Sequence, residues 1–448
     1  MVALLTQGPA MTEPSSAATQ RFAFRSEGYA WRVVVVLCIG AVVSLLERQV
    51  INLLVEPLKV DLQISDTQIS LLQGFAFAIF YAVMAIPIGR IIDARSRVAV
   101  IVWGTVIFSL ATFACGLATG FFMLVLARTM VGVGEATLSP AGLSLLGDYF
   151  PPEKLGRAVG LFIGATFAGS GLSLIIIGAI LGWLAKHPDI SLPIIGTAKD
   201  WQIAFMLAAL PGIIFIALMA LVREPPRSSS SGESVGEAVP LRETFGFVRR
   251  NLGMIVPLFG GIPLLAAANF AMNAWVPTFF IRTYDWEAST IGPIFGLMII
   301  ICGTGGTIAG GLLSDWLAKR GVSKPGMLVP VLAAIAAAPF AALFPLAGEA
   351  WLSLKLLAPA MFLGAMPFGA GAAGIVNFAP NRMRGQLIAI YLLIATLLGT
   401  GGGPWVVAFW TDVVIGDPLQ IRWSMAIAAT SLFIGGAALI ASGLRRRG

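Results

Sequence analysis

Charge is scarce in this sequence. Only 11% of its 448 residues are Asp, Glu, Lys or Arg, against about 25% in soluble domains. Together with 58% apolar residues and a mean hydropathy of +0.90, this excludes an ordinary soluble protein. Cysteine is scarce too. Cys38, Cys115 and Cys302 each lie inside an apolar run, which leaves no disulfide framework and no metal spacing. The one histidine, His187, falls in a connecting segment and is poorly placed to relay protons. Five tyrosines and long unbroken apolar runs argue against a transmembrane β-barrel, which alternates. A net charge of +7 invites nucleic acid as a partner, but the basic residues form no stripe. No Ser-His-Asp set and no nucleotide loop stand out, so neither an enzyme nor a cofactor is expected.

What the sequence has is apolar runs of membrane length. About 20 residues cross roughly 30 Å of hydrocarbon as a helix. Twelve such runs fit, at about 33–54, 68–89, 98–118, 121–147, 158–184, 201–222, 252–281, 290–314, 326–347, 356–377, 385–410 and 423–444. Glycine and proline interrupt the later ones, as membrane helices tolerate. The predicted class is an all-α polytopic membrane protein. The first run carries no cleavage-like site and reads as a first membrane helix rather than a removed signal.

Orientation follows from the basic residues. With both termini in the cytoplasm, the inner segments hold 21 of them, including Arg90, Arg95, Arg249, Arg250, Arg320 and the tail from Arg445 to Arg447. The outer segments hold six: Lys59, Lys186, Lys199, Arg282, Lys355 and Arg422. That asymmetry sets topology and supports an even number of spans. The chain is expected in a cell membrane (a bacterial inner membrane), multi-pass and monomeric. Residues 223–250 open with Arg223, Glu224, Pro225 and Pro226 and run through Ser228 to Ser231, which predicts a flexible cytoplasmic linker. The organisation is then a tail at 1–32, bundles at 33–222 and 251–444 on either side of the linker, and a tail at 445–448.

The two halves echo each other. Gly89, Asp93 and Arg97 lie at and after the end of the second run, and Gly311, Asp315 and Lys319 do the same for the eighth at the same internal spacing, 222 residues later. Arg157 and Arg384 form a weaker echo before the fifth and eleventh runs. Parallel repeats about an axis along the membrane normal are one transporter plan.

Four charges fall inside runs: Glu47 and Arg48 in the first, Arg128 and Glu135 in the fourth. Each costs about 2.5–3.5 kcal/mol at mid-membrane, so four unpaired ones would cost on the order of 10 kcal/mol. Two acids and two bases suit pairing. Glu47 and Arg128 each lie seven residues below the outer end of their run, roughly 10 Å at about 1.5 Å per residue. This predicts a Glu47–Arg128 contact, with Arg48 turned to a cavity or a neighbouring helix. Glu135 follows Arg128 on the same face two turns deeper, and Ser139 continues that face. Gly132 and Gly134 allow close helix packing there.

A carboxylate in a dry cavity that exchanges its Arg partner between two states can load and release a proton, while Arg stays charged. Glu135 is the first choice for that carrier and Glu47 the second. The competing reading is a static ion-pair network that fixes helix register. The second half has no ionisable residue inside its expected spans, but offers Asn269, Asn273 and Trp275, then Asn377, then Tyr391 and Trp405. One charged half and one amide-aromatic half suit an amphiphilic anion, or a small organic anion with an apolar body.

The two loop motifs resemble the signature of the major facilitator superfamily over the whole chain from about 30 to 445. The resemblance implies two pseudo-symmetric six-helix bundles around a central cavity, with Gly89, Asp93, Arg97, Gly311, Asp315 and Lys319 at a cytoplasmic gate. Ala94 departs from it, since the family usually has Arg there. The run from Arg128 to Ala136, with Pro140 and Asp148-Tyr149-Phe150, is similar to the spinster-like branch, where an acid–Arg pair in the first helix accompanies the Glu of the fourth. That likeness implies alternating-access movement of lysophospholipids or sphingosine-1-phosphate, proton-coupled in some members. A sugar acid or other carboxylate, moved by symport or export, is the alternative substrate. The expected partners are a small amphiphilic substrate, protons and the lipid bilayer. On this reading Arg48 and Arg128 serve the charge network and the head group, and Ser139, Asn269, Asn273, Trp275, Asn377 and Tyr391 the substrate cavity.

Overall fold

The computed structural model describes residues 27–187, 191–192, 196–226, 241–378 and 383–444. Twelve of its helices are long and apolar enough to cross a membrane. The first six are α1 (Glu27–Leu53), α2 (Asp66–Ala94), α3 (Arg97–Gly116), α4 (Phe121–Tyr149), α5 (Pro152–Leu184) and α6 (Asp200–Ala220). The second six are α7 (Leu252–Tyr284), α8 (Ala288–Lys319), α9 (Pro325–Leu346), α10 (Ala350–Gly371), α11 (Gln386–Ile415) and α12 (Pro418–Leu444). Each overlaps a run that the apolar pattern predicts. Among the described residues, the only strands form a two-residue ribbon, Ser191–Leu192 against Gly196–Thr197, between α5 and α6.

The differences lie at the ends and breaks. Helices α1, α5 and α10 begin six residues before their apolar runs. Polar first turns extend them: Glu27 stands in the first turn of α1, and Pro152 opens α5 with Glu153 behind it. Part of the expected linker is also helical. Leu241–Arg250 forms two to three turns, because Leu241, Phe245 and Val248 recur at helical spacing. The rest of the linker at 227–240 and the tails at 1–26 and 445–448 lie outside the described residues.

Several spans leave the regular α-helical ladder. Helix α1 ends as a 3₁₀ segment at Val50–Leu53. Helix α4 breaks at Ala136–Thr137, immediately after Glu135. Segments of π-helix occupy Leu71–Phe75 in α2, Ile299–Gly303 in α8 and Thr396–Gly402 in α11. Such interruptions shift hydrogen-bond partners and concentrate at functional sites.

Glycine brings the helices together. A Cβ on Gly134 would stand 2.6 Å from the carbonyl oxygen of Gly104, and one on Gly132 2.6 Å from that of Phe77. These two positions draw α4 onto α3 and α2, and so place Arg128 and Glu135 against the first helices. Between the halves, α5 and α8 touch through Gly171 and Gly296, each with no room for a Cβ beside the other's carbonyl.

Helix α1 starts and α12 ends at the same end of the molecule as Arg97 and Lys319. This end is called the inner end below, after the side on which the charge bias is expected to place it.

Candidate functional site

A cavity of about 280 Å³ lies between the halves. Leu45, Phe167, Phe270, Phe295 and Met361 give it apolar walls. Its polar lining is Arg48, Gln49 and Asn52 from α1, Gln73 from α2, Thr166 and Ser170 from α5, Asn269 and Asn273 from α7, and Thr400 from α11. Arg48 is the one charged side chain in this lining, so the cavity offers an anion a fixed positive site beside apolar surface.

Arg48 reaches three ways. Its Nη1 stands 3.6 Å from Glu135 Oε1, and its Nη2 donates to Thr400 Oγ1 at 3.3 Å. The guanidinium also lies over the Phe77 ring at 4.3 Å, a cation–π contact. At 3.6 Å the ion pair is longer than the usual 2.7–2.9 Å charge-assisted hydrogen bond, so the pair attracts without being locked. Glu135 is 8% exposed, and its Oε2 finds no hydrogen-bond partner among the described residues. Tyr81 stacks on Phe77 at 5.3 Å beside Glu135, with Ser139 against its hydroxyl.

The Glu47–Arg128 contact expected from matched depth is corrected. Arg128 does lie against α1, but it binds main chain. Its Nε donates to the Leu72 carbonyl at 3.2 Å, Nη1 to that of Glu47 at 3.2 Å and Nη2 to that of Arg48 at 2.8 Å. Those carbonyls are open because the ladder changes nearby, to π-helix in α2 and to 3₁₀ in α1. The Glu47 carboxylate points elsewhere. It is wholly buried and accepts a hydrogen bond from Ser109 Oγ of α3 at 2.7 Å. Thus Arg128 holds α1, α2 and α4 together, and the charged side chains that meet are Arg48 and Glu135. The break at Ala136–Thr137 also means that Ser139 does not simply continue the Glu135 face.

Of the second-half residues, Asn269 and Asn273 line the cavity. Trp275 does not. It is fully buried and donates its indole N–H to the Pro404 carbonyl at 2.9 Å, the partner that a buried indole needs. Tyr391 is absent from the lining too, and packs edge-on against Phe259 at 5.6 Å. Ser139 stands outside the lining, and the side chain of Asn377 lies outside the described residues.

At the inner end, Arg97 is 3% exposed and binds Asp148 of α4 as well as Glu224 beyond α6. Asp93, Asp315 and Lys319 are exposed. Burial raises the Glu224 carboxyl, but the Val98 amide and the Arg97 and Ser96 side chains outweigh it and hold that carboxyl below its ordinary value. Sequence reading did not single out Asp148 as a charge partner, nor Glu224, since neither falls in an apolar run.

The outer end holds a second cluster that sequence reading missed. Arg282, in the last turn of α7, forks onto Asp66 through Nη1 and Nη2, both at 2.7 Å, and onto Glu56 through Nε at 2.7 Å. Lys59 also binds Asp66, and Asp66 is fully buried. Helix α7 runs three residues further than its apolar run, to Tyr284, which puts Arg282 inside a span expected to hold no charge. The amide of Thr67 donates to Asp412 Oδ2 of α11 at 2.6 Å. Both contacts join the two halves at the outer end. A usable signal was the alternation of Glu56, Lys59, Asp61 and Asp66 in the first outer segment. Among the described residues, no group of His, Cys, Asp or Glu is placed to hold a metal.

The profile of the Major Facilitator Superfamily matches residues 37–404. A protein described as an MFS-type efflux pump, from Mycolicibacterium smegmatis, is 26% identical over 87% of this chain and 86% of its own length. Human protein spinster homolog 1 is 25% identical over 96% of this chain and 84% of its own. A crystal structure of a bacterial homolog to the human lysosomal transporter Spinster, inward-facing and occupied, superposes with a TM-score of 0.78. It covers 94% of this chain and 98% of its own at 23% identity, a likeness of fold.

Proposed function

The chain belongs to the Major Facilitator Superfamily and is spinster-like, and from that premise we propose that it is a proton-coupled transporter of a lysophospholipid-like amphiphilic anion. The observation that carries this reading is the Arg48–Glu135 pair, whose Arg48 lines an otherwise uncharged cavity. In it, the anionic head of the substrate takes Arg48 and displaces Glu135. A carboxylate that loses its cation in a dry site takes a proton, so head group and proton load together. Arg48 is the head-group site because it reaches the cavity; Arg128, spent on three carbonyls, is the fixed post around which α1, α2 and α4 are held. Glu135 is the proton carrier, and Glu47, sealed behind Ser109, is the second candidate.

Alternating access follows from two ends of unequal character. The Arg282 cluster is the outer gate and must part when the cavity opens outward. The loops with Gly89, Asp93, Arg97, Gly311, Asp315 and Lys319 form the inner gate, with Arg97 docked on Asp148 and Glu224. Both termini lie in the cytoplasm.

Uptake into proteoliposomes under an imposed pH gradient tests the reading. A labelled lysophospholipid is expected to accumulate with saturable kinetics, and Arg48→Gln to raise its KM at least about tenfold, the cost of one lost charge-assisted bond. Accumulation of a sugar acid with no lysolipid movement selects the small-anion alternative.

A further inference from the structure

Three side-chain amides form a chain across the cavity wall, and its direction is fixed at one end. Gln73 Nε2 donates to the backbone carbonyl of Ala274 at 3.3 Å. A carbonyl accepts only, so the Gln73 amide nitrogen must face it. The same Nε2 donates to Asn52 Oδ1 at 3.2 Å, and Asn52 Nδ2 in turn donates to Asn273 Oδ1 at 3.3 Å. This settles all three amide orientations without reference to hydrogens. One consequence is a stranded acceptor. Gln73 is 6% exposed, lines the cavity, and its Oε1 has no partner among the described residues. Buried polar atoms are nearly always bonded, and an exception calls for a partner not yet in place. Gln49 Oε1 is also unpaired, but Gln49 bonds only the Ser170 hydroxyl, which donates or accepts, so its orientation is not fixed.

The stranded acceptor sits near the cation. Gly74, next to Gln73, abuts the Thr400 carbonyl so closely that a Cβ would stand 2.5 Å from it, and the Thr400 hydroxyl is bonded to Arg48. Phe77, under the Arg48 guanidinium, follows Gln73 by about one turn. The cavity wall thus carries a positive charge and, about one helical turn from the ring beneath it, a lining residue whose buried acceptor is unpaired.

Resting on the amphiphilic-anion reading above, we propose that Gln73 selects head groups that carry a hydrogen-bond donor beside their phosphate. Gln73 Oε1 accepts from the ammonium of a phosphoethanolamine head or the hydroxyl of a phosphoglycerol head, while the phosphate sits on Arg48. A phosphocholine head presents no N–H or O–H and leaves the acceptor stranded. Sites built to bond a donor discriminate strongly against analogues that lack it.

The test is uptake by proteoliposomes of the full chain with three lysolipids of one acyl chain: lysophosphatidylethanolamine, lysophosphatidylglycerol and lysophosphatidylcholine. The donor-bearing heads are expected to show a kcat/KM about tenfold above choline, one hydrogen bond's worth. Gln73→Met, which at similar volume removes the acceptor together with the Nε2 donor to Asn52 and Ala274, is expected to erase that ratio by raising KM more for the two donor heads than for choline, and monodisperse elution of the purified variant shows that it folds. Equal wild-type rates for all three lipids, or an unchanged ratio in Gln73→Met, overturn the selection and leave the amphiphile reading standing. Movement of none of the three overturns the amphiphile reading and the selection with it.

Discussion

Replacing Glu135 by Gln is expected to abolish accumulation against a gradient while leaving downhill exchange of substrate intact. The size of the effect follows from the driving force. One proton moving down a difference of one pH unit supplies about 1.4 kcal/mol, enough for roughly tenfold accumulation per coupled proton. With Gln at 135 that factor falls to one. The substitution is close to isosteric, and the pair it breaks is the loose one, at 3.6 Å. The wedge of Gly104, Gly132 and Gly134 that positions α4 is untouched, so the fold survives. Glu47→Gln gives the contrast. Its carboxylate is buried and bonded to Ser109 rather than paired with Arg48, so this change is expected to lower coupling less than Glu135→Gln does. Undiminished accumulation in Glu135→Gln would remove that residue from the proton path.

The second large effect is expected at the outer gate. Arg282 makes three bonds of 2.7 Å to Asp66 and Glu56, which belong to the other half of the molecule. Breaking a buried pair by removing one partner costs about 3–5 kcal/mol, because the other charge is stranded. Here the protein has an escape. The halves can part and let water reach the stranded group. Arg282→Met, which leaves Asp66 with Lys59 alone, should therefore shift the population toward an outer-open form by on the order of a hundredfold or more. Spin labels at Val60 and Leu419, both exposed at the outer end, would report a longer and broader distance. Asp66→Asn should shift it in the same direction but less, since Arg282 keeps Glu56. Unchanged distances in both variants would deny the cluster a gating part.

These sites differ in how far the sequence announces them. The twelve spans are legible because length and apolarity are local properties, and the structure keeps every one. That Glu47, Arg48, Arg128 and Glu135 stand in the membrane is legible for the same reason. Which of them meet is not. Pairing depends on rotation about each helix axis, and that rotation is altered by the 3₁₀ end of α1, the π-turn of α2 and the break after Glu135, none of which the apolar pattern marks. Depth alone brought Arg128 to the level of Glu47, and the contact found there is to its carbonyl. Arg282 reads as a loop residue because a polar last turn of helix looks like loop in composition. Gln73 carried no signal whatever, since its importance lies in an acceptor that only the three-dimensional wall leaves stranded.

Proton uptake on substrate binding tests the central claim most directly. In weakly buffered detergent solution with a pH indicator, binding of a lysophospholipid to the wild-type protein should withdraw about one proton per molecule from solvent, as the head group takes Arg48 and Glu135 fills its empty place with a proton. The Glu135→Gln protein should bind the same lipid with no change in pH. Binding without proton uptake in the wild type, or identical uptake in the variant, would contradict the exchange of partners at Arg48 on which the account rests.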